Sequence, residues 1–175
     1  YAKLGTTLAQ DLGSFTLCLQ MRTDMSSTTK AGLVSYAVQG QANELLVFTN
    51  GGSEFHVSKK IAFGALPVWD GERHEVCVTW RSTGGAWQMY MDGTLKKSGF
   101  GLNVGGKVRS GGTWILGQEQ DTVGGGFDVN QAFSGELSQV NLWDRVLTPA
   151  EVGPDSCGQH GNVIDWETAD IEVFG

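Results

Sequence analysis

Between Ser14 and Arg22 the chain reads SFTLCLQMR, and every second residue, Phe15, Leu17, Leu19 and Met21, is apolar. A period of two is the pattern of a strand with one face on a core. It returns at short intervals. GLVSYAV, NELLVFTN and FHVS follow, then RHEVCVTW, with Val76, Val78 and Trp80 on one face. AWQMYMDGTLKKSG reads as a hairpin: Trp87, Met89 and Met91 alternate up to Asp92-Gly93. That dipeptide suits a type I′ turn, where both central residues take positive φ. TWILG, ELSQVNLWDRVL and DIEVFG supply the remaining strands. Glycine is 26 of 175 residues, about twice the usual usage of roughly 7%, and it is dispersed without a triplet period. Many short strands joined by glycine-rich turns predict an all-β fold, a two-sheet antiparallel sandwich of jelly-roll type. Only Thr148-Pro149-Ala150-Glu151 opens like a helix, with Thr at the N-cap, Pro at the first position and Glu at the third. Gly153-Pro154 ends it within about a turn. At this length, with no repeat or linker, residues 1–175 read as a single domain.

The formal net charge is −7, and no basic cluster exceeds the pairs Lys59-Lys60 and Lys96-Lys97. Nucleic acid is therefore excluded as a partner, because phosphate binding needs a basic face. An acidic surface suits a cationic partner, a metal ion included. No apolar run has the length of a membrane-spanning helix, and direct membrane insertion by this stretch of chain is not expected. The sequence opens at Tyr1 with no signal peptide, so it reads as a processed or excised piece. Cys18 and Cys77 both sit inside alternating apolar runs. Two readings stand: buried free thiols, which are common core residues, or a disulfide between strands. A loop of roughly 60 residues so closed would restrict the unfolded chain by about 4 kcal/mol in the chain-entropy account. It would also mark an oxidising compartment. Cys157, in GPDSCGQHGN, has no obvious partner.

Residues 117–136, GQEQDTVGGGFDVNQAFSGE, gather four carboxylates and four side-chain amides around three consecutive glycines. Three readings compete. One is a solvated polar loop. Another is a catalytic carboxylate pair. Jelly-roll glycosidases usually carry their acids as E-x-D-x-x-E or E-x-D-x-E on one strand, and that pattern is absent; Asp165, Glu167 and Asp170 come nearest, interrupted by Trp166. No G-x-S-x-G elbow occurs. The third is a cage for a hard cation. Calcium takes about six to eight oxygens from carboxylates, amides, backbone carbonyls and water. Gly124-Gly125-Gly126 would let the chain reverse, so that Asp128 and Gln131 face Glu119 and Asp121. With neither cysteine nor paired histidine nearby, zinc is a poor fit. The spacing is not that of an EF-hand.

Two segments resemble a known family. HEVCVTWRS resembles the pentraxin signature, with His74, Cys77, Thr79, Trp80 and Ser82 as its marker residues. ILGQEQDTVGGGFDVNQAFSGELSQVNLWDRVLTPAEV resembles the calcium-loop half of pentraxins over its full length. VQGQANELLVF, GQEQDTVGGGFD and GNVIDWETADIEVFG are most similar to the neuronal branch of long pentraxins, its membrane-tethered receptor-like member included. The resemblance runs from Tyr1 to Gly175. It implies a lectin-like and laminin-G-like jelly roll with one helix on the face away from the ligands, a Cys18–Cys77 disulfide, and one or two calcium ions. The implied ligands are Asn43, Glu119, the backbone carbonyl of Gln120, Asp121, Asp128 and Gln131. A carboxylate bridging two dications offsets their mutual repulsion. The resemblance further implies an extracellular setting, assembly with like or related pentraxin chains, a stalk before Tyr1, and a partner for Cys157 beyond Gly175.

The chain departs from short pentraxins at informative places. Those carry Asp-Asn where Ala42-Asn43 stands here, which weakens one ion or leaves water in its place. Phosphocholine-binding members pair a Phe and a small Thr with a Glu. Phe48 matches the Phe, His56 occupies the Thr position, and Ile61 falls where the Glu would be. Phosphocholine binding is therefore not expected, although Phe48 and His56 still mark a ligand pocket. His74, His56 and His160 read as structural residues, Glu136 as outside the metal set, and the tryptophans as packing, with Trp69 a possible exposed anchor. The expected function is an extracellular calcium-dependent recognition module without catalysis, presenting a surface to a protein or glycan. The alternatives are an oligomerisation and receptor-clustering domain, or a glycan-binding jelly-roll lectin.

Overall fold

The structure is a computed structural model that describes residues 1–153 and 158–175, so Cys157 lies outside the described residues. The strands are β1 (Ala2–Leu4), β2 (Ser14–Arg22), β3 (Ala31–Val38), β4 (Gln41–Thr49), β5 (Ser53–Val57) and β6 (Lys60–Gly64). After these come β7 (Arg73–Arg81), β8 (Ala86–Met91), β9 (Thr94–Gly99), β10 (Thr113–Leu116), β11 (Glu136–Trp143) and β12 (Ile171–Val173). They form two antiparallel sheets. One has seven strands in the order β12-β1-β10-β3-β4-β5-β6, and the other five in the order β11-β2-β7-β8-β9. This is the two-layer sandwich that the alternation predicts.

Register explains how the alternation becomes a core. β2 and β7 pair without interruption from Ser14↔Arg81 to Arg22↔Arg73. Phe15 faces Trp80, Leu17 faces Val78 and Leu19 faces Val76 across the ladder, and all six are buried between the sheets. Leu45, Val47, Phe55, Val57, Tyr36 and Trp114 meet them from the seven-stranded sheet. Trp80 is fully buried, and its indole N–H donates to the Leu102 carbonyl at 2.7 Å. The polar end of this core tryptophan is thus satisfied.

The intervening residues of the same strands turn outward. Cys18 and Cys77 are direct partners in the β2–β7 register and form a disulfide, Cα to Cα 4.1 Å. Of the two readings the residues allowed, the cross-strand bond holds. It lies within one sheet and packs with Tyr90, Trp143, Leu147 and Val152. Those last two residues flank the expected helix start. There Thr148 N–H donates to the Glu151 carboxylate at 2.7 Å, and Glu151 N–H to the Thr148 hydroxyl at 3.3 Å. This capping box opens a single turn, closed by Val152 N–H to the Thr148 carbonyl at 3.0 Å. Among the described residues, the helical segments are two 3₁₀ turns, Thr83–Gly85 and Val129–Gln131. No helix among them is long and apolar enough to cross a membrane.

The β8–β9 hairpin turns on Asp92 and Gly93, with φ of 51° and 77°. Both are left-handed, as the type I′ turn requires.

Candidate metal centre

β10 ends at Leu116, and the oxygen-rich stretch begins by crossing β3. The crossing is close. A Cβ on Gly32 would stand 2.5 Å from both the Gln118 carbonyl carbon and the Glu119 nitrogen. No side chain fits there, so glycine at this strand position is what lets the loop lie down. Gln120 then fastens it. Its backbone N–H donates to Ser35 Oγ at 3.1 Å. Its side-chain amide donates to the Ser35 carbonyl at 3.0 Å and the Thr113 carbonyl at 2.9 Å. Its Oε1 accepts from Gly124 N–H at 2.7 Å. The Gln120 side chain is fully buried and occupied with holding the loop. What it could offer a cation is its backbone carbonyl.

The chain reverses at the glycines. Asp121 and Thr122 N–H both donate to the Gly125 carbonyl at 3.2 Å, and Gly125 N–H returns to Thr122 at 3.0 Å. Gly124 and Gly126 have φ of 74° and 71°. A Cβ on Gly126 would meet Asp121 Cβ at 2.7 Å. Asp128 follows and caps the Val129–Gln131 turn: its Oδ1 accepts from the Asn130 N–H and the Asn130 side-chain amide, both at 2.9 Å.

The reversal gathers negative charge around Glu119. Burial pushes the Glu119 carboxyl above the usual range, and the charge of Asp121 adds to this. The Asn43 amide, from the start of β4, opposes it with a hydrogen bond, while Glu54 and Asp128 push the same way as Asp121. Asn43, Asp121 and Asp128 are therefore each within electrostatic reach of Glu119. Asn43 Oδ1 is buried and has no hydrogen-bond partner among the described residues. A buried acceptor left unpaired costs free energy, and a cation beside it would relieve that cost. Gln131 stands one 3₁₀ turn beyond Asp128, with its N–H on the Asp128 carbonyl at 2.9 Å. Its side chain is half-buried. Ala42 has no side-chain oxygen to offer.

The donor chemistry is all oxygen, which fits a hard cation such as calcium and not zinc. Among the described residues, no three Asp, Glu, His or Cys side chains form a metal cluster on their own. Amides, backbone carbonyls and water would have to complete the shell, as calcium permits.

Glu54 escaped the reading of the sequence. It lies on β5, opposite Phe48 in register, and is 8% exposed. Its Oε2 meets His56 Nε2 at 3.0 Å. Phe48 and His56 are buried as well. Ile61, opposite His56 on β6, is 43% exposed. A carboxylate thus does sit beside Phe48, contributed by β5 and already engaged by His56. The signal that could have revealed it is the alternation of SEFHV, which puts Glu54 and His56 on one face.

Other candidates fall elsewhere. His74 is held between Asp92 at 2.7 Å and Asp70 at 2.9 Å. Burial alone would lower its pKa, but the two carboxylates outweigh it and raise the pKa above the usual value. Glu136 is exposed and pairs with Arg73 and Arg22. Trp69 is half-buried against the core rather than free.

A family model described as the Pentaxin family matches residues 1–175. Neuronal pentraxin-2 of Cavia porcellus is 44% identical over 180 residues, covering all of this chain and 42% of that protein. The human neuronal pentraxin receptor is 41% identical, again over all of this chain and 36% of its own length. The chain thus spans roughly two fifths of the curated relatives it matches. Among solved structures, a native heptameric SAP-like pentraxin from Limulus polyphemus superposes with a TM-score of 0.87 at 26% identity, covering 98% of this chain and 83% of that one.

Proposed function

The chain belongs to the pentaxin, or pentraxin, family, and from that premise we propose that it is an extracellular calcium-binding recognition module, without catalysis of its own. The observation that carries the reading is Glu119. It is a partly buried carboxylate whose charge is disfavoured first by burial and then by Asp121, Glu54 and Asp128, with a hydrogen bond from Asn43 acting against them. Such an arrangement is costly unless a cation neutralises it. Asn43, Glu119, the Gln120 carbonyl, Asp121, Asp128 and Gln131 would hold the ion. Calcium would supply positive charge and free coordination positions on an otherwise acidic surface. The chain's own residues position that charge: Gln120 pins the loop to β3, and Asp128 orders the turn after it.

The ligand on this face would be a protein or a glycan. Choline is disfavoured, because His56 already occupies Glu54 and Ile61 brings no carboxylate. The Limulus relative is a heptamer, and this domain would likewise work in an oligomer with like or related pentraxin chains. A second reading makes assembly the main work and calcium secondary. Receptor clustering is the work such an assembly would do. Light scattering with and without chelator separates the two: assembly unchanged by chelation supports the second.

Isothermal titration with calcium tests the first reading. Binding with a rise in Tm is expected, since a ligand of the native state stabilises it. Asp121→Ala should remove most of the effect. No heat at millimolar calcium would sink the assignment.

A further inference from the structure

Asn43 is followed by a residue that the metal set does not use. Glu44 is a fully buried carboxylate, and it is saturated with donors. Its Oε1 accepts from Arg109 N–H at 2.8 Å, Arg109 Nε at 3.3 Å and Ser58 Oγ at 3.1 Å. Its Oε2 accepts from Arg109 Nη2 at 3.0 Å. The guanidinium thus grips both oxygens. Such a forked pair fixes geometry as well as charge.

Arg109 is itself held from several sides. Val108 bridges to Leu12, Ser110 N–H donates to Asp11 at 2.9 Å, and Tyr36 Oη donates to the Arg109 carbonyl at 2.8 Å. The other side of Glu44 is a turn under strain. Ser58 and Lys59 join β5 to β6 with φ of 48° and 69°. Both are non-glycine residues in the left-handed region, which is unfavourable for two in succession. Ser58 N–H donates to the Glu44 carbonyl at 2.8 Å, and Lys59 N–H to the Asn43 carbonyl at 3.0 Å. Ser58 Oγ also reaches the Lys107 carbonyl at 3.1 Å. Strained backbone of this kind persists where its surroundings over-determine it, and it clusters at functional sites.

We propose that Arg109 is a positioning residue for the calcium centre: by locking Glu44 and, through it, the Ser58-Lys59 turn, it holds the Asn43 amide against Glu119. The inference rests on the calcium reading above. Asn43 is the ligand supplied from outside the oxygen-rich loop, so its placement cannot be set by that loop. Two of its fixed points, the Lys59 bond to its carbonyl and the covalent link to Glu44, belong to this clamp. Removing the fork should leave the loop intact and loosen the Asn43 side of the site.

The test uses Arg109→Lys, which keeps the charge and loses the fork. Wild type and variant are titrated with calcium chloride by calorimetry, and their melting is followed with and without calcium. Outer-shell partners of a metal ligand usually affect affinity by about 10–100-fold, so the variant should bind calcium roughly tenfold more weakly and show a smaller calcium-induced rise in Tm. A purely structural pair would lower Tm equally in both conditions and leave the affinity alone; that result overturns the proposal. Should the variant fail to fold, hydrogen exchange on the wild type decides. Calcium should slow exchange of the Ser58 and Lys59 amides, and unchanged exchange there overturns the proposal. Absence of calcium binding to the wild type removes the functional reading and this inference together, whereas normal wild-type binding with an unaffected variant removes this inference alone.

Discussion

Single residues decide whether the acidic loop can form at all. Gly32 reads in the sequence as one more position of a strand, and nothing local marks it as special. The structure gives the reason: the backbone of Gln118 and Glu119 occupies the space of its missing side chain. Gly32→Ala should therefore destabilise the fold by about 1–3 kcal/mol, the usual cost of forcing a methyl into packed surroundings. It should also blunt the calcium response, and urea melts combined with calcium titration would show both. A stable Gly32→Ala protein with normal calcium binding would mean that the loop does not rest on β3. Gly126 has a more legible role, because three glycines in a row announce a reversal. Its left-handed φ of 71° and its contact with Asp121 meet that expectation. Glu54 was legible in principle from the alternation of SEFHV, yet its importance comes from Glu119, a neighbour far away in sequence.

Elements form where local chemistry agrees with the pattern. Asp92-Gly93 turns as the dipeptide demands, and its strands keep the alternation of Trp87 and Met89 toward the core. The capping box at Thr148 also closes as its spacing predicts, although it opens one turn and not a longer helix within the described residues. Its charge gives a pH prediction. The Arg145 guanidinium, and then the Thr148 backbone N–H, hold the Glu151 carboxyl down to about 2, below the ordinary 4.5. A depressed carboxyl stabilises the fold above its unfolded value and loses that contribution as pH falls through the folded one. The capped turn should thus hold above pH 4.5 and weaken progressively toward pH 2. Glu151→Gln should lower Tm at neutral pH and flatten this part of the Tm–pH curve. The group is solvent-exposed, so the effect should be small and reduced by salt. An acid limb as steep in the variant as in the wild type would rule out the Arg145–Glu151 pair as its source.

At the scale of the molecule, the disulfide joins two strands that are already neighbours in the five-stranded sheet. It closes a sequence separation of 59 residues, within which β3 to β6 of the other sheet are made. Replacing both Cys18 and Cys77 by alanine should cost about 2–5 kcal/mol, read as a lower urea midpoint with the circular dichroism of the native sheet kept. A midpoint unchanged from the oxidised wild type would show that the crosslink contributes nothing. The sequence by itself determined the sandwich, the type I′ hairpin, the capped turn and an oxygen-rich loop that reverses on its glycines. Each of these depends on residues a few positions apart, and side-chain alternation or turn geometry is set by the local backbone. The tertiary structure alone decided that the Asn43 amide and the charge of Glu54 act on Glu119, and that Arg109 reaches Glu44. Those contacts depend on the order of strands in the seven-stranded sheet, where β10 and β4 flank β3 despite their distance along the chain. No local period encodes that order, because it is chosen by how the two sheets bury their faces against each other.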